Sequence, residues 1–136
     1  MTFWSFIIVN DHLKPGKEMN ILIVDDEKIV SDFLSRVLRL EGHRPEVAGS
    51  GTQGYKMLLH KEYDMIICDV QMPNMSGIEF FDKINTQKPH YARKVIFTSG
   101  DEGNADISYQ KTGRPYLEKP IRLQQFKKLL SEFSSA

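Results

Sequence analysis

Short apolar runs and amphipathic segments alternate along the chain from Met19 onward. Three of the runs are continuous and rich in β-branched residues, which is typical of strands buried on both faces of a parallel sheet. They lie at residues 21–24, 65–68 and 94–98, with two weaker strands predicted at 46–48 and 115–118. The segment before Met19 is an apolar cluster followed by turn-forming residues. We therefore expect one domain at residues 19–136 and an N-terminal extension at residues 1–18.

Between these strands, apolar residues recur every three or four positions, which predicts helices with one buried face. The clearest helices are predicted at residues 29–38 and 122–133. Shorter helices are predicted around residues 52–59 and 78–85, and residues 103–112 carry few apolar anchors and are the least certain element. The regular alternation predicts right-handed crossovers and a doubly wound α/β fold, with a parallel sheet covered by helices on both faces.

Polar side chains occupy the positions where the predicted strands end. Asp25 and Asp26 follow the first strand, Asp69 the third, Ser99 the fourth and Lys119 the fifth. The carboxyl ends of parallel strands share one edge of the sheet, and doubly wound folds bind ligands there. We therefore expect these side chains to meet in one cavity although they are far apart in sequence.

Three carboxylates in one cavity suggest a metal-assisted reaction. Neighbouring carboxylates resist ionising beside one another, and a divalent cation removes that conflict. Mg²⁺ prefers oxygen ligands and often binds one or two carboxylates together with phosphate oxygens. A carboxylate can also act as the nucleophile that accepts a phosphoryl group, while a lysine and a hydroxyl bind the phosphoryl oxygens. The residue types therefore indicate phosphoryl transfer onto an aspartate.

Four sequence segments, each at the end of a predicted strand, resemble in this order the response-regulator receiver family. They are Ile23-Val24-Asp25-Asp26-Glu27, Asp69-Val70-Gln71-Met72-Pro73-Asn74-Met75-Ser76-Gly77, Thr98-Ser99-Gly100 and Leu117-Glu118-Lys119-Pro120. The resemblance covers residues 19–134. It implies a flavodoxin-like, five-stranded parallel sheet with the strand order 2-1-3-4-5.

The resemblance also implies roles for the acidic residues. Asp69 matches the phosphoacceptor, and Asp25 and Asp26 match the acidic pair that binds Mg²⁺. The family adds a main-chain carbonyl two residues after the phosphoacceptor, which in this sequence belongs to Gln71. The implied metal ligands are therefore Asp25, Asp26, Asp69 and the Gln71 carbonyl.

Further residues match the parts of the family that respond to phosphorylation. Ser99 matches the hydroxyl that bonds the phosphoryl group; Thr98 is its rival, but the family's hydroxyl precedes a small residue, as Ser99 precedes Gly100. Lys119 matches the lysine that pairs with a phosphoryl oxygen, and the resemblance implies a cis bond between it and the following proline. Tyr116 matches the switch aromatic, which turns inward when Ser99 is drawn toward the phosphoryl group.

The function implied is that of a phosphoacceptor switch in a two-component phosphorelay. A histidine kinase or a histidine phosphotransfer protein would supply the phosphoryl group, and the chain would catalyse only its own phosphorylation and dephosphorylation. The surface of the fourth helix, fifth strand and fifth helix would then change its partners. Residues 111–120 resemble receivers that belong to or work beside hybrid histidine kinases.

Other functions are compatible with some of these residues. A phosphatase of the haloacid-dehalogenase type also forms an aspartyl phosphate, but it needs an acid two residues after the nucleophile, where this chain has Gln71. A binding module that is never phosphorylated is a third alternative, and the complete set of site residues argues against it. Individually, Asp25 and Asp26 could cap a helix, Lys119 could be a surface lysine and Tyr116 an ordinary strand aromatic.

Composition narrows the partners and the compartment. Lys plus Arg is 18 and Asp plus Glu is 18, a neutral balance that argues against non-specific binding to nucleic acid. The single cysteine, Cys68, cannot form an intrachain disulfide, which suits the cytoplasm, and we assign it no role beyond packing. No apolar stretch approaches the length of a membrane span. The histidines show no metal-ligand spacing.

The two ends of the chain leave alternatives open. The extension at residues 1–18 could cover an apolar surface, form a homodimer through Phe3, Trp4 and Phe6, or result from an upstream start with Met19 as the real beginning. Only residues 134–136 follow the last predicted helix. We therefore expect either a stand-alone receiver or a fragment of a larger protein such as a hybrid kinase.

Overall fold

The computed structural model describes residues 18–100 and 109–135, and it contains the predicted parallel sheet. The strands are β1 (Asn20–Val24), β2 (Arg44–Ala48), β3 (Met65–Asp69), β4 (Val95–Ser99) and β5 (Tyr116–Glu118). All neighbouring pairs are parallel, in the order β2-β1-β3-β4-β5. The predicted fold class and strand order are confirmed. The predicted extension, apart from Glu18, and most of the uncertain element at 103–112 lie outside the described residues.

Helices connect the strands as the alternation predicts. They are α1 (Lys28–Leu40), α2 (Gly51–His60), α3 (Gly77–Gln87), a helical stretch at residues 109–112 labelled α4, and α5 (Leu123–Ser135). A 3₁₀ helix at Pro89–Lys94 was not predicted, and it precedes β4. No helix in the described ranges is both long and apolar enough to cross a bilayer.

Each face of the sheet carries its own apolar core, because successive side chains of a strand point to opposite faces. Leu22 of β1 belongs to the core that contains Leu58 of α2 and Phe80 of α3. Ile21 and Ile23 point the other way, into the core formed with α1 and α5, whose buried members include Leu34, Leu38, Phe126 and Leu130. Strands covered on both faces explain the continuous apolar runs in the sequence.

The register of the strands brings their carboxyl ends to one edge. Val24 lies opposite Cys68, and Cys68 lies opposite Phe97. Asp69 lies opposite Thr98, and Ser99 lies opposite Glu118. Asp25, Asp69 and Lys119 therefore emerge side by side, as the sequence pattern predicts.

Candidate functional site

Three carboxylates converge at this edge of the sheet. One oxygen each of Asp25, Glu27 and Asp69 lies within 4.8 Å of the others, a spacing that could hold a metal ion. Asp25 and Asp69 are both only 3% exposed, whereas Glu27 is exposed. Asp26 is exposed as well and lines the cavity beside Gln71 without joining this cluster. Sequence reasoning did not select Glu27, although it is the third consecutive acid after β1.

Lys119 joins these carboxylates. Its Nζ lies 2.6 Å from Oε1 of Glu27, 3.2 Å from Oδ2 of Asp69 and 3.4 Å from Oδ2 of Asp25. The side chain is 14% exposed, so the ammonium group is largely shielded from water. The Lys119 N–H donates to the carbonyl oxygen of Ser99 at 2.8 Å, and the peptide bond between Lys119 and Pro120 is cis, as the resemblance implied.

Main-chain hydrogen bonds orient the two buried carboxylates. The N–H of Glu27 donates to Oδ1 of Asp25 at 2.8 Å, and the N–H of Gln71 donates to Oδ1 of Asp69 at 3.2 Å. In each aspartate the second oxygen, Oδ2, is turned toward Lys119. The buried Oδ2 of Asp25 has an ion-pair distance to Lys119 but no hydrogen bond to any described residue. A buried oxygen without a hydrogen bond is a position that a metal ion or a water molecule can complete.

Burial controls the electrostatics of the site. Loss of solvation, followed by the negative charge of Asp25, raises the pKa of Asp69 to about 6. Burial likewise raises the pKa of Asp25, although its bond from the Glu27 N–H and the charge of Lys119 oppose this change. Burial would lower the pKa of Lys119, but the bond to Glu27 and the charges of Asp69 and Asp25 outweigh it and raise the pKa. The single ammonium of Lys119 therefore does not fully neutralise the negative charge of the three acids. Their carboxylate oxygens are the kind of ligand that Mg²⁺ prefers.

The loop after β3 is fixed close to Asp69. A Cβ on Gly77 would lie 2.2 Å from the carbonyl oxygen of Asp69, so only glycine permits this approach. The Gly77 N–H donates to the carbonyl oxygen of Val70 at 2.8 Å. Asn74 has a positive φ of 70°, a conformation that asparagine tolerates better than most residues. Ser76 and Glu79 then form a capping box at the start of α3. The loop thereby holds Gln71 beside the carboxylate.

The predicted hydroxyl and aromatic residues occupy neighbouring positions. Ser99 is 1% exposed and lines a cavity together with Lys119, whereas Thr98 is not among the residues that line it. The hydroxyl of Thr98 is buried and has no hydrogen-bond partner among the described residues. Tyr116 begins β5 opposite Phe97 and packs, partly buried, against the core beneath α2 and α3. The structure therefore places Ser99 and Lys119 together, with Tyr116 on the adjoining strand.

A family model for the response regulator receiver domain matches residues 21–131, which is most of the chain. The chain belongs to this family, and the resemblance stated from the motifs is confirmed. Its acidic site, formed by Asp25, Glu27 and Asp69 with Lys119, is consistent with a phosphoacceptor switch.

Curated relatives contain this domain as part of longer proteins. The transcriptional regulatory protein ZraR of Klebsiella oxytoca is 31% identical over 86% of this chain and 26% of its own length. The osmosensing histidine protein kinase SLN1 of Saccharomyces cerevisiae is 30% identical over 94% of this chain and 11% of its own length. The chain thus spans only a fraction of these relatives, which include both regulators and kinases.

Solved structures show the same fold. A putative response regulator from Chloroflexus aurantiacus superposes with a TM-score of 0.80 at 25% identity, covering 88% of this chain and all of that one (100%). A response regulator receiver domain protein from Clostridium thermocellum gives a TM-score of 0.73 at 28% identity, covering 84% of this chain and 92% of that one. The sheet order and helix arrangement are those of receiver domains.

Proposed function

We propose that this chain is a phosphoacceptor switch of a two-component phosphorelay, which accepts a phosphoryl group on Asp69 with Mg²⁺ bound. The observation that carries the proposal is the setting of Asp69. Its carboxylate is almost fully buried, its pKa is raised to about 6, and its Oδ2 lies 3.2 Å from an ammonium group inside an acidic cluster. A carboxylate whose negative charge is only partly neutralised, and whose position is fixed by hydrogen bonds, is suited to act as a nucleophile.

In the proposed reaction, Oδ2 of Asp69 attacks the phosphorus atom of a phosphohistidine. The new P–O bond forms as the P–N bond breaks, and the imidazole leaves with that electron pair and takes up a proton. Oδ1 of Asp69 stays bonded to the Gln71 N–H, which fixes the direction of attack. When bound, Mg²⁺ supplies positive charge that neutralises the oxygens of the transferring group.

Two sets of ligands are proposed for the metal. Asp25, Asp69 and the main-chain carbonyl of Gln71 are common to both. The family pattern adds Asp26, which lines the cavity, and the geometry adds Glu27, whose carboxylate reaches the other two acids. Comparing Mg²⁺ affinities of Asp26→Asn and Glu27→Gln separates the two, because loss of a ligand weakens binding far more than loss of a nearby charge.

Lys119 and Ser99 are proposed to bind the phosphoryl oxygens. Lys119 is already 3.2 Å from the reacting oxygen and needs only to exchange its bond with Glu27 for one with the phosphoryl group. Ser99, the last residue of β4, would move toward the same group, and Tyr116 would turn into the space released. This two-state change of β4 and β5 would alter the surface that partners recognise.

The proposed partner is a histidine kinase or a histidine phosphotransfer protein, with the downstream target undefined. No nucleic-acid binding is proposed, because the charge is balanced at 18 basic and 18 acidic residues. Catalysis is limited to self-phosphorylation and self-dephosphorylation. The structure favours this over a phosphatase, because the residue two positions after Asp69 donates a main-chain N–H and carries an amide side chain that cannot act as a general acid.

The test is mass spectrometry after incubation with Mg²⁺ and acetyl phosphate. One phosphoryl group should be added to the wild-type chain and none to Asp69→Asn. The matched control is Asp82→Asn, an exposed acid on α3, which should be phosphorylated like the wild type. Phosphorylation that survives in Asp69→Asn would refute the assignment, and multiple turnovers on phosphate esters would indicate an enzyme instead.

A further inference from the structure

One face of α1 carries apolar side chains in water. Ile29, Phe33 and Leu40 are 85%, 40% and 79% exposed. Spacings of four and seven residues place them on one line along the helix, and together they are called the α1 stripe. The buried face of the same helix is formed by Leu34 and Leu38, both 0% exposed. The α1 stripe is therefore a line of exposed apolar side chains that the core does not use, with the exposed Arg36 on the same line between Phe33 and Leu40.

The chain supplies an apolar segment that matches this stripe. Residues 3–9 read Phe-Trp-Ser-Phe-Ile-Ile-Val, with one polar residue and no charge. Exposing an uncharged apolar cluster of this size to water is unfavourable. Covering it with another apolar surface lowers the free energy of the chain. We propose that residues 3–9 of this same chain dock along the α1 stripe.

The start of the described chain lies at the correct end of α1. Glu18 forms an ion pair with Arg44, with 2.6 Å between Oε2 and Nε, and the carbonyl oxygen of Met19 accepts from the Arg44 N–H at 2.9 Å. Arg44 begins β2 shortly after α1 ends at Leu40. Glu18, the first described residue, therefore lies near the end of the stripe that Leu40 occupies.

The intervening chain is long enough for this docking. Residues 10–17 link the apolar segment to Glu18 and can span on the order of 30 Å when extended. The thirteen residues of α1 make a helix about 20 Å long. A seven-residue apolar segment in extended form is also about 23 Å long, so it can cover the stripe from Leu40 to Ile29. A short linker also gives an effective concentration of the order of millimolar, so weak intrinsic affinity is sufficient for docking.

Tryptophan fluorescence can report docking of residues 3–9 on the α1 stripe, because Trp4 is the sole tryptophan of the chain. Its fluorescence is measured in the full-length protein, together with quenching by acrylamide and far-UV circular dichroism. In the wild type we expect emission shifted to the blue of the urea-unfolded chain and protection from the quencher. In the double variant Phe33→Ser, Leu40→Ser we expect emission and quenching close to the unfolded values, with an unchanged circular dichroism spectrum.

A matched control and a dilution series make the test decisive. Leu59→Ser alters a 54% exposed leucine on α2, on the opposite face of the sheet, and should leave Trp4 emission unchanged. Wild-type emission like that of the unfolded chain would overturn the proposal, as would an equal response of the control or no response to the double variant. A blue shift that disappears on dilution would show that a second copy covers the stripe instead. None of these outcomes depends on phosphorylation of Asp69.

Discussion

Replacing Asp69 by Asn should stabilise the metal-free protein at pH 7.5. The unperturbed pKa of the carboxyl is 3.8, and burial together with Asp25 raises it to about 6. Keeping the group ionised in the folded state therefore costs about 3 kcal/mol, from roughly two pKa units at 1.36 kcal/mol each. Asn has the same shape and no charge, so most of this cost should appear as a higher free energy of unfolding. For a domain of this size the melting temperature should rise by on the order of 10 °C.

The pH dependence identifies the cause of this gain. A carboxyl whose pKa is raised in the folded state destabilises the protein above that pKa, and the penalty falls away as the pH drops from about 6 toward 3.8. The advantage of Asp69→Asn should therefore decrease to about half at pH 5. Mg²⁺ should also reduce the advantage at pH 7.5, since it binds and stabilises the folded wild type.

The assay is urea unfolding in EDTA, followed by far-UV circular dichroism at pH 7.5 and pH 5. Asp82→Asn is the control, because this exposed acid on α3 should change the free energy of unfolding by less than about 0.5 kcal/mol. A variant Asp69→Asn less stable than the wild type at pH 7.5, or equally favoured at both pH values, would refute the electrostatic reasoning.

Three further predictions concern the same site. Lys119→Met should lower the free energy of unfolding of the metal-free protein at pH 7.5 by about 3 kcal/mol, because two buried carboxylates lose their partner; urea unfolding measures this, and unchanged stability would contradict the ion pairs described. Gly77→Ala should destabilise the fold by more than about 2 kcal/mol and slow phosphorylation by acetyl phosphate, because the new Cβ meets the Asp69 carbonyl oxygen; wild-type rates would show that the loop adapts freely. Mg²⁺ should raise the melting temperature more at pH 7.5 than at pH 5 and have little effect in Asp25→Asn, and calorimetry that finds the same rise in that variant would exclude Asp25 as a ligand.

The strands that the sequence predicted best are those buried on both faces. β1, β3 and β4 produce continuous apolar runs because helices cover both sides of the sheet at these positions. β2 begins at Arg44, two residues earlier than predicted, because an edge strand tolerates an exposed Arg44, a half-buried Glu46 and even Pro45. Such a strand has no continuous apolar signal.

The sequence predicts those site residues that directly follow a strand. It does not predict the residue that joins the site through contacts with residues distant in sequence. Asp25, Asp69 and Lys119 each follow a recognisable strand, so their convergence could be expected from topology. Glu27 resembles an ordinary acid at a helix start. Its part in the site becomes visible in the structure, through its closeness to Asp25 and Asp69 and its bond to Lys119, 92 positions away in sequence. The 3₁₀ helix that begins at Pro89 is too short for any periodic pattern.

The position of the Lys119 ammonium has a consequence for the order of events. In the metal-free protein, this one positive group is shared among three acids and so serves as a provisional counter-ion. A dication bound by Asp25 and Asp69 would take over that task, and the Lys119 amine would then be available for an incoming anion. Phosphoryl capture would therefore depend on the metal for a reason additional to direct coordination.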